Sequence, residues 1–94
     1  MDERVIFTVR GNVQDTGLLW WAERNARSLG LVGHACNRRY TEVEILVQGQ
    51  ADAIETFYRR LLETPTTTWR PGTILDHTVE IAEPQVGLLR FTAA

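Results

Sequence analysis

The hydrophobic period of this chain switches between that of a strand and that of a helix, and back, and few folds accommodate such a pattern in so short a length. Val5, Phe7 and Val9 alternate within residues 4–10, a β-branched and aromatic run that predicts a strand. Gly11 breaks it. From Leu18 the period lengthens: Leu18, Leu19, Ala22, Ala26 and Leu29 recur at helical spacing, with Glu23, Arg24, Arg27 and Ser28 on the other side. That predicts an amphipathic helix closed by Gly30.

The cycle then repeats. Residues 31–36 read as a second strand, 37–41 as a turn, and 42–48 as a third strand with Val43, Ile45 and Val47 inward, ended by Gly49. Asp52 followed by Glu55 has the pattern of a capping box opening a second helix. Its apolar stripe is Ile54, Phe57, Tyr58, Leu61 and Leu62, ending before Pro65. A threonine-rich extended stretch, a turn at Pro71-Gly72, a strand over 73–81 and a short last strand over 86–91 complete the chain. The order β-α-β-β-α-β with an extra C-terminal strand predicts an α+β ferredoxin-like two-layer sandwich: an antiparallel sheet with two helices on one face.

Ninety-four residues support one domain, residues 1–94, with a single core and no linker or repeat. A content of 44% hydrophobic and 23% charged residues is that of a globular chain rather than a disordered one. No apolar run approaches the ~18 residues of a membrane span, so no membrane partner is expected. The acidic start, Met1-Asp2-Glu3-Arg4, leads straight into a strand pattern and does not read as a signal peptide. One cysteine excludes an internal disulfide and fits a cytoplasmic location. The net charge of -2 argues against a nucleic-acid partner. All ten basic residues are arginine, the side chain best suited to phosphate and carboxylate contacts.

The predicted topology gathers residues that are distant in sequence. The first strand delivers the loop beginning at Gly11 to one edge of the sheet. The helix returns, and the second strand brings Asn37 to that same edge, where the second helix also ends with Arg59 and Arg60.

Val9-x-Gly11-x-Val13-Gln14, Ala26-x-x-Leu29-Gly30-Leu31-x-Gly33, Asn37, Val43-Glu44, Gly49, Phe57 and Pro65 together resemble the acylphosphatase family. The resemblance covers nearly the whole chain and is less typical after Pro65. It implies a phosphate-binding loop comprising Gly11, Val13, Gln14, Asp15, Thr16, Gly17, Leu18 and Leu19, whose N–H groups cradle an anion at a helix N-terminus. It implies that Asn37 orients the water that attacks phosphorus, with no cofactor, metal or covalent intermediate. The family's loop reads Gly-x-Val-Gln-Gly-Val-x-Phe-Arg. Here Leu19 stands where that pattern has its phosphate-gripping arginine, and Asp15 where it has a glycine. The expectation is a degenerate phosphate site with a binding or interaction role and weak or no hydrolysis. The alternative is an active acylphosphatase, hydrolysing the carboxyl-phosphate bond of an acyl phosphate with Arg10, Arg38 or Arg39 as the substitute ligand. The expected partner is a small acyl phosphate or another anion, alongside a protein partner or a second copy of the chain.

Several residues carry two readings. Asn37 suits a water-positioning role or the start of a tight turn. Gln14 reads as part of the loop's framework. Cys36 reads as a small buried residue, and His34 and His77 have no ligand partners at recognised spacing. Trp20-Trp21 predicts one indole partly exposed, as helix-edge cover or a contact surface. Ile6 and Leu46 fall on the sheet face opposite the helices. An RNA-recognition domain shares this element order, but the third strand carries Glu42 and Glu44 where aromatics are needed. A metal-carrying ferredoxin-like domain would need paired cysteines.

Overall fold

A computed structural model describes residues 2–39 and 41–94. The elements are β1 (Asp2–Asn12), α1 (Leu18–Ser28), β2 (Val32–Asn37), β3 (Glu42–Gln50), α2 (Ala51–Leu62), β4 (Thr73–Ala82) and β5 (Phe91–Ala93). They form one five-stranded sheet in the order β4-β1-β3-β2-β5. The sheet is antiparallel except at β5, which pairs parallel to β2, so it is mixed rather than wholly antiparallel.

Alternation along the strands supplies one wall of the core: Val5, Phe7 and Val9 on β1, with Val43, Ile45 and Val47 on β3. Leu18, Trp21, Ala22 and Ala26 of α1 and Ile54, Phe57 and Leu61 of α2 supply the other. On α1 the fully covered indole is Trp21, at 2% exposure, while Leu19 is only partly buried against the core. The apolar spacing predicts Leu19 in the buried stripe. Residues 19 and 21 are about 200° apart around the helix at ~100° per residue, so they flank the stripe of Leu18, Ala22 and Ala26 on opposite sides, and the larger side chain takes the covered flank. Trp20, at 59% exposure, is the solvent-facing indole. Leu46, on the face away from the helices, is itself buried and leaves no open apolar strip with Ile6.

The ends of the elements follow local chemistry. Helix α1 stops in a Schellman arrangement: Leu31 N–H donates to Ala26 at 2.8 Å, and Gly30 N–H to Arg27 at 3.1 Å. Strand β3 continues through Gly49 to Gln50. There a Cβ on residue 49 would stand 2.7 Å from Leu31 Cδ2, so glycine is a packing requirement and not a strand terminator. Helix α2 starts directly at Ala51 with Gln50 as its cap and no side-chain cap bond. Asp52 therefore lies inside the first turn, accepting from Ala53 N–H at 2.9 Å, and no capping box forms with Glu55.

The last strand lies later than expected. Residues 83–90 carry the chain from one sheet edge to the other. Val86 and Leu89 stay exposed on this crossover, Gly87 has φ +91°, and only Phe91 enters the core. The buried Gln48 holds the crossover to the sheet by exchanging two hydrogen bonds with the main chain of Gln85, at 2.9 and 2.7 Å.

Candidate active site

Strand β1 ends in a register shift between Arg10 and Gly11. Gly11 has φ +140°, and a Cβ there would stand 2.3 Å from the Thr73 carbonyl oxygen, so only glycine turns the chain at this point. The loop that follows is pinned from several sides. Gly11 N–H donates to the Thr41 carbonyl at 3.1 Å, and Thr16 Oγ1 donates to the Val13 carbonyl at 2.7 Å. The Gln14 amide reaches across the sheet edge and donates to the carbonyls of Arg39 and, at 3.1 Å, Glu42. Gln14 is thus a framework residue that fastens the loop to the turn after Asn37.

Asp15 adopts φ +58° in this loop, a left-handed conformation that an L-residue occupies at a cost and that Asp tolerates better than most. Gly17 is the N-cap of α1, with φ 93° and no side-chain capping bond. The first turn of α1 contains no acidic residue. Its leading N–H groups and the positive end of its dipole therefore have neither a side-chain cap nor a first-turn carboxylate to offset them, an arrangement that favours an anion. In front of them lies a cavity of about 230 Å³ lined by Val13, Asp15, Gly17, Leu18, Leu19, Trp20 and Asn37. The topology has done what the sequence order implied: the loop and Asn37, from different strands, share one concavity.

The arginines are elsewhere. Among the described residues, none lines this cavity. Arg10 lies on the opposite sheet face, with Nε 2.9 Å from Glu42 Oε2 and Nη1 3.5 Å from Asp76 Oδ1. Arg38 is bound to Glu44. Arg39 is exposed, and its carbonyl receives the Gln14 amide. At the end of α2, Arg60 donates to Asn25 Oδ1 at 3.2 Å, and Arg59 is exposed. Arg24 covers the Trp20 ring, 4.7 Å from its centroid, in a separate groove formed with Trp21 and Trp69. Trp20 is a shared wall of that groove and of the loop cavity.

Sequence reasoning missed Arg70. It precedes a segment packed under the loop: a Cβ on Gly72 would lie 2.7 Å from the Asn12 carbonyl oxygen and 3.2 Å from Thr16 Oγ1. Arg70 Nη1 donates to the carbonyls of Pro71 and Gly72, while its Nε is buried with no partner. Burial pushes its pKa down. Nothing in the spacing of the sequence points to it, because its position depends on how residues 63–72 fold back over α1.

The histidines and the cysteine also find partners that linear spacing hides. His77 Nε2 lies 3.2 Å from the Tyr58 hydroxyl. His34 and Cys36 lie on the sheet face opposite the helices, half-buried, with His34 Nε2 3.1 Å from Glu44 Oε2. Burial opposes ionisation of Glu44, but hydrogen bonds from His34 and Arg38 outweigh it and hold the carboxyl below its usual pKa. Burial, aided by Glu44, pushes the Cys36 thiol up against the opposing influence of Arg38.

The sequence model of the acylphosphatase family matches residues 5–92. The chain belongs to the acylphosphatase family. It is 33% identical over 91 residues to an acylphosphatase of Mycolicibacterium smegmatis, covering 97% of this chain and 89% of that one. With an acylphosphatase of Thermobifida fusca it shares 39% identity over 77 residues, 82% of this chain and 79% of the relative. Among solved structures, the acylphosphatase of Bacillus subtilis superposes with a TM-score of 0.81 at 24% identity over 100% of this chain and 99% of that one. Full-length HypF in its phosphate- and nucleotide-bound form superposes with a TM-score of 0.86 at 22% identity, covering 12% of that longer protein. These superpositions establish the ferredoxin-like fold of the family.

Proposed function

We propose that this acylphosphatase-family domain binds a small acyl phosphate or related anion at the α1 N-terminus, with hydrolysis weak or lost. The observation that carries the reading is the lining of the loop cavity, where Leu19 and Asp15 are present and arginine is not. The N–H groups at Gly17 and the start of α1 remain available to cradle the anion, and the side chain of Asn37 borders the same space. Leu19 offers neither charge nor a hydrogen-bond donor. Charge-assisted hydrogen bonds contribute roughly 1.5–3 kcal/mol each. Losing a bidentate pair lowers the rate by a factor on the order of hundreds to thousands. The Asp15 carboxylate at the cavity repels the same anion, by about 4 kcal/mol at a separation of about 4 Å and effective dielectric of ~20, and by less further away.

The partner in this reading is the anion itself, with its organic portion over the exposed Trp20 ring, and a protein partner or second copy joining from outside. A cytoplasmic location goes with this reading. Among the described residues, no helix is long and apolar enough to cross a membrane.

An active acylphosphatase is the second reading, favoured by the curated acylphosphatases at 33–39% identity and by Arg70, whose guanidinium donates to the carbonyl of Gly72 in the segment packed under the loop. In that case Arg70 supplies the guanidinium from outside the loop while Asn37 orients water. Hydrolysis of benzoyl phosphate by wild type and by Arg70→Ala separates the two. Turnover that disappears with Arg70 supports the displaced-ligand enzyme, and wild-type turnover at the spontaneous rate supports the binding domain.

A further inference from the structure

Antiparallel pairing of β2 with β3 sets Cys36 directly opposite Glu44, and His34 is two residues before Cys36 on the same strand. Alternation along a strand puts His34 and Cys36 on one face, and a directly paired residue faces the same way. Three different donor atoms therefore converge: His34 Nε2, Cys36 Sγ and a Glu44 carboxylate oxygen all lie within 4.8 Å of one another. Two of them, His34 Nε2 and Glu44 Oε2, are already 3.1 Å apart. The second Glu44 oxygen, Oε1, accepts from Arg38, which leaves Oε2 as the oxygen turned toward the histidine.

We propose that His34, Cys36 and Glu44 form a three-ligand site for a borderline divalent transition-metal ion of the Zn²⁺ type, on the sheet face away from the helices. The donor set selects the ion: thiolate and imidazole suit Zn²⁺ and Co²⁺, whereas Mg²⁺ and Ca²⁺ require an all-oxygen shell. The geometry is within reach. Metal–sulfur and metal–nitrogen bonds of about 2.3 and 2.0 Å at a tetrahedral angle place neighbouring donors roughly 3.5 Å apart. The present cluster reaches that by side-chain rotations that close its longest separation by about 1 Å. All three residues are half-buried, so solvent has access to a fourth position.

The exchange balances simply. The ion displaces the hydrogen bond between His34 and Glu44, takes the lone pair of neutral imidazole, and binds Cys36 as thiolate, whose proton goes to solvent. Thiolate and carboxylate supply two negative charges against the ion's two positive ones. Arg38 orients the carboxylate as an outer-shell partner and, as a cation, reduces the affinity. This site lies on a different face from the α1 cavity, and neither requires the other.

The test is titration of the full chain with Co²⁺, in a non-chelating buffer with a phosphine reductant. The expected result is one equivalent bound, with a near-ultraviolet thiolate-to-cobalt absorption that Zn²⁺ abolishes on addition. Cys36→Ser removes that absorption, and His34→Ala weakens binding by at least ~10-fold, the lower scale that even outer-shell partners set. His77→Ala, which alters the other histidine, leaves both the absorption and the affinity at wild-type values. Circular dichroism of each variant establishes that it folds. Absence of the thiolate absorption in wild type at millimolar Co²⁺, or wild-type affinity in His34→Ala, overturns the proposal.

Discussion

The Gln14 side-chain amide donates to the main-chain carbonyl of Glu42 at 3.1 Å, joining the loop at the end of β1 to the first residue of β3. Asn37, the last residue of β2, pairs with Val43, the neighbour of Glu42, on the far side of β3 from β1. The distance between the loop and Asn37 is therefore fixed by a hydrogen-bonded strut rather than by the loop's own stiffness. Replacing Gln14 with Leu removes its bonds to both Glu42 and Arg39. At about 0.5–1.5 kcal/mol for each neutral bond, the variant is expected to lose about 1–3 kcal/mol in a urea unfolding titration. Phosphate affinity falls with it. A wild-type midpoint together with wild-type affinity would show that the strut contributes nothing.

Asp15 holds φ +58° where only glycine is free of strain. Asp15→Ala is expected to destabilise the fold by about 1 kcal/mol, because alanine lacks the local hydrogen bonding that lets aspartate adopt this conformation. Asp15→Gly is expected to be neutral or slightly stabilising. Both remove the carboxylate and tighten phosphate binding. Thermal unfolding distinguishes the backbone effect from the charge effect, since the two variants agree in charge and differ only in backbone freedom.

The two adjacent tryptophans differ in burial by far more than their position in the sequence suggests. Trp21 is 2% exposed and packs against Phe57 with ring centroids 5.6 Å apart, and its indole N–H donates to Thr68. Trp21→Ala is expected to lose about 3–5 kcal/mol, the cost of an aromatic cavity. Trp20→Ala is expected to lose less than about 1 kcal/mol, most of it from the stacked Arg24. Chemical denaturation of the two variants tests the assignment, and equal losses would contradict it.

Glu63 gives the segment after α2 a pH dependence. The Thr67 hydroxyl and main-chain N–H both donate to its carboxylate, the latter at 2.7 Å, and these bonds draw its pKa below the usual 4.5. A depressed folded-state pKa means that the stabilisation is present above the unfolded value and is lost as pH falls through the folded one. A carbon-detected NMR titration should place the Glu63 midpoint below 4.5, and Thr67→Ala should move it back toward 4.5. A wild-type midpoint at or above 4.5 would contradict the hydrogen-bond assignment.

Much of this architecture was legible in the residues themselves. The two changes of period fixed β1, α1, β3 and α2, because each buries one regular face and periodicity reports burial. The convergence of the Gly11 to Leu19 loop with Asn37 followed from strand order alone. What the pattern hid was hydrophobicity without burial. Val86 and Leu89 read as a strand, yet they lie exposed on a crossover whose anchor is a polar residue, Gln48. The exchange of Leu19 for Trp21 in the core turned on which flank of the stripe of Leu18, Ala22 and Ala26 is covered, and apolar side chains stand on both flanks. Arg70 and the grouping of His34 with Cys36 and Glu44 depend on tertiary packing and on register. Only the grouping could have been drawn from the sequence, by counting back along the paired strands from the end of β2 and the start of β3.

The most direct measurement is benzoyl phosphate hydrolysis by wild type beside the double variant Leu19→Arg with Asp15→Gly. Wild-type turnover is expected close to the spontaneous rate, with a gain of at least about 100-fold when the guanidinium is restored and the carboxylate removed, the lower end of what two charge-assisted hydrogen bonds supply. Wild-type turnover far above the spontaneous rate, unimproved by the double variant, would contradict a weakened site.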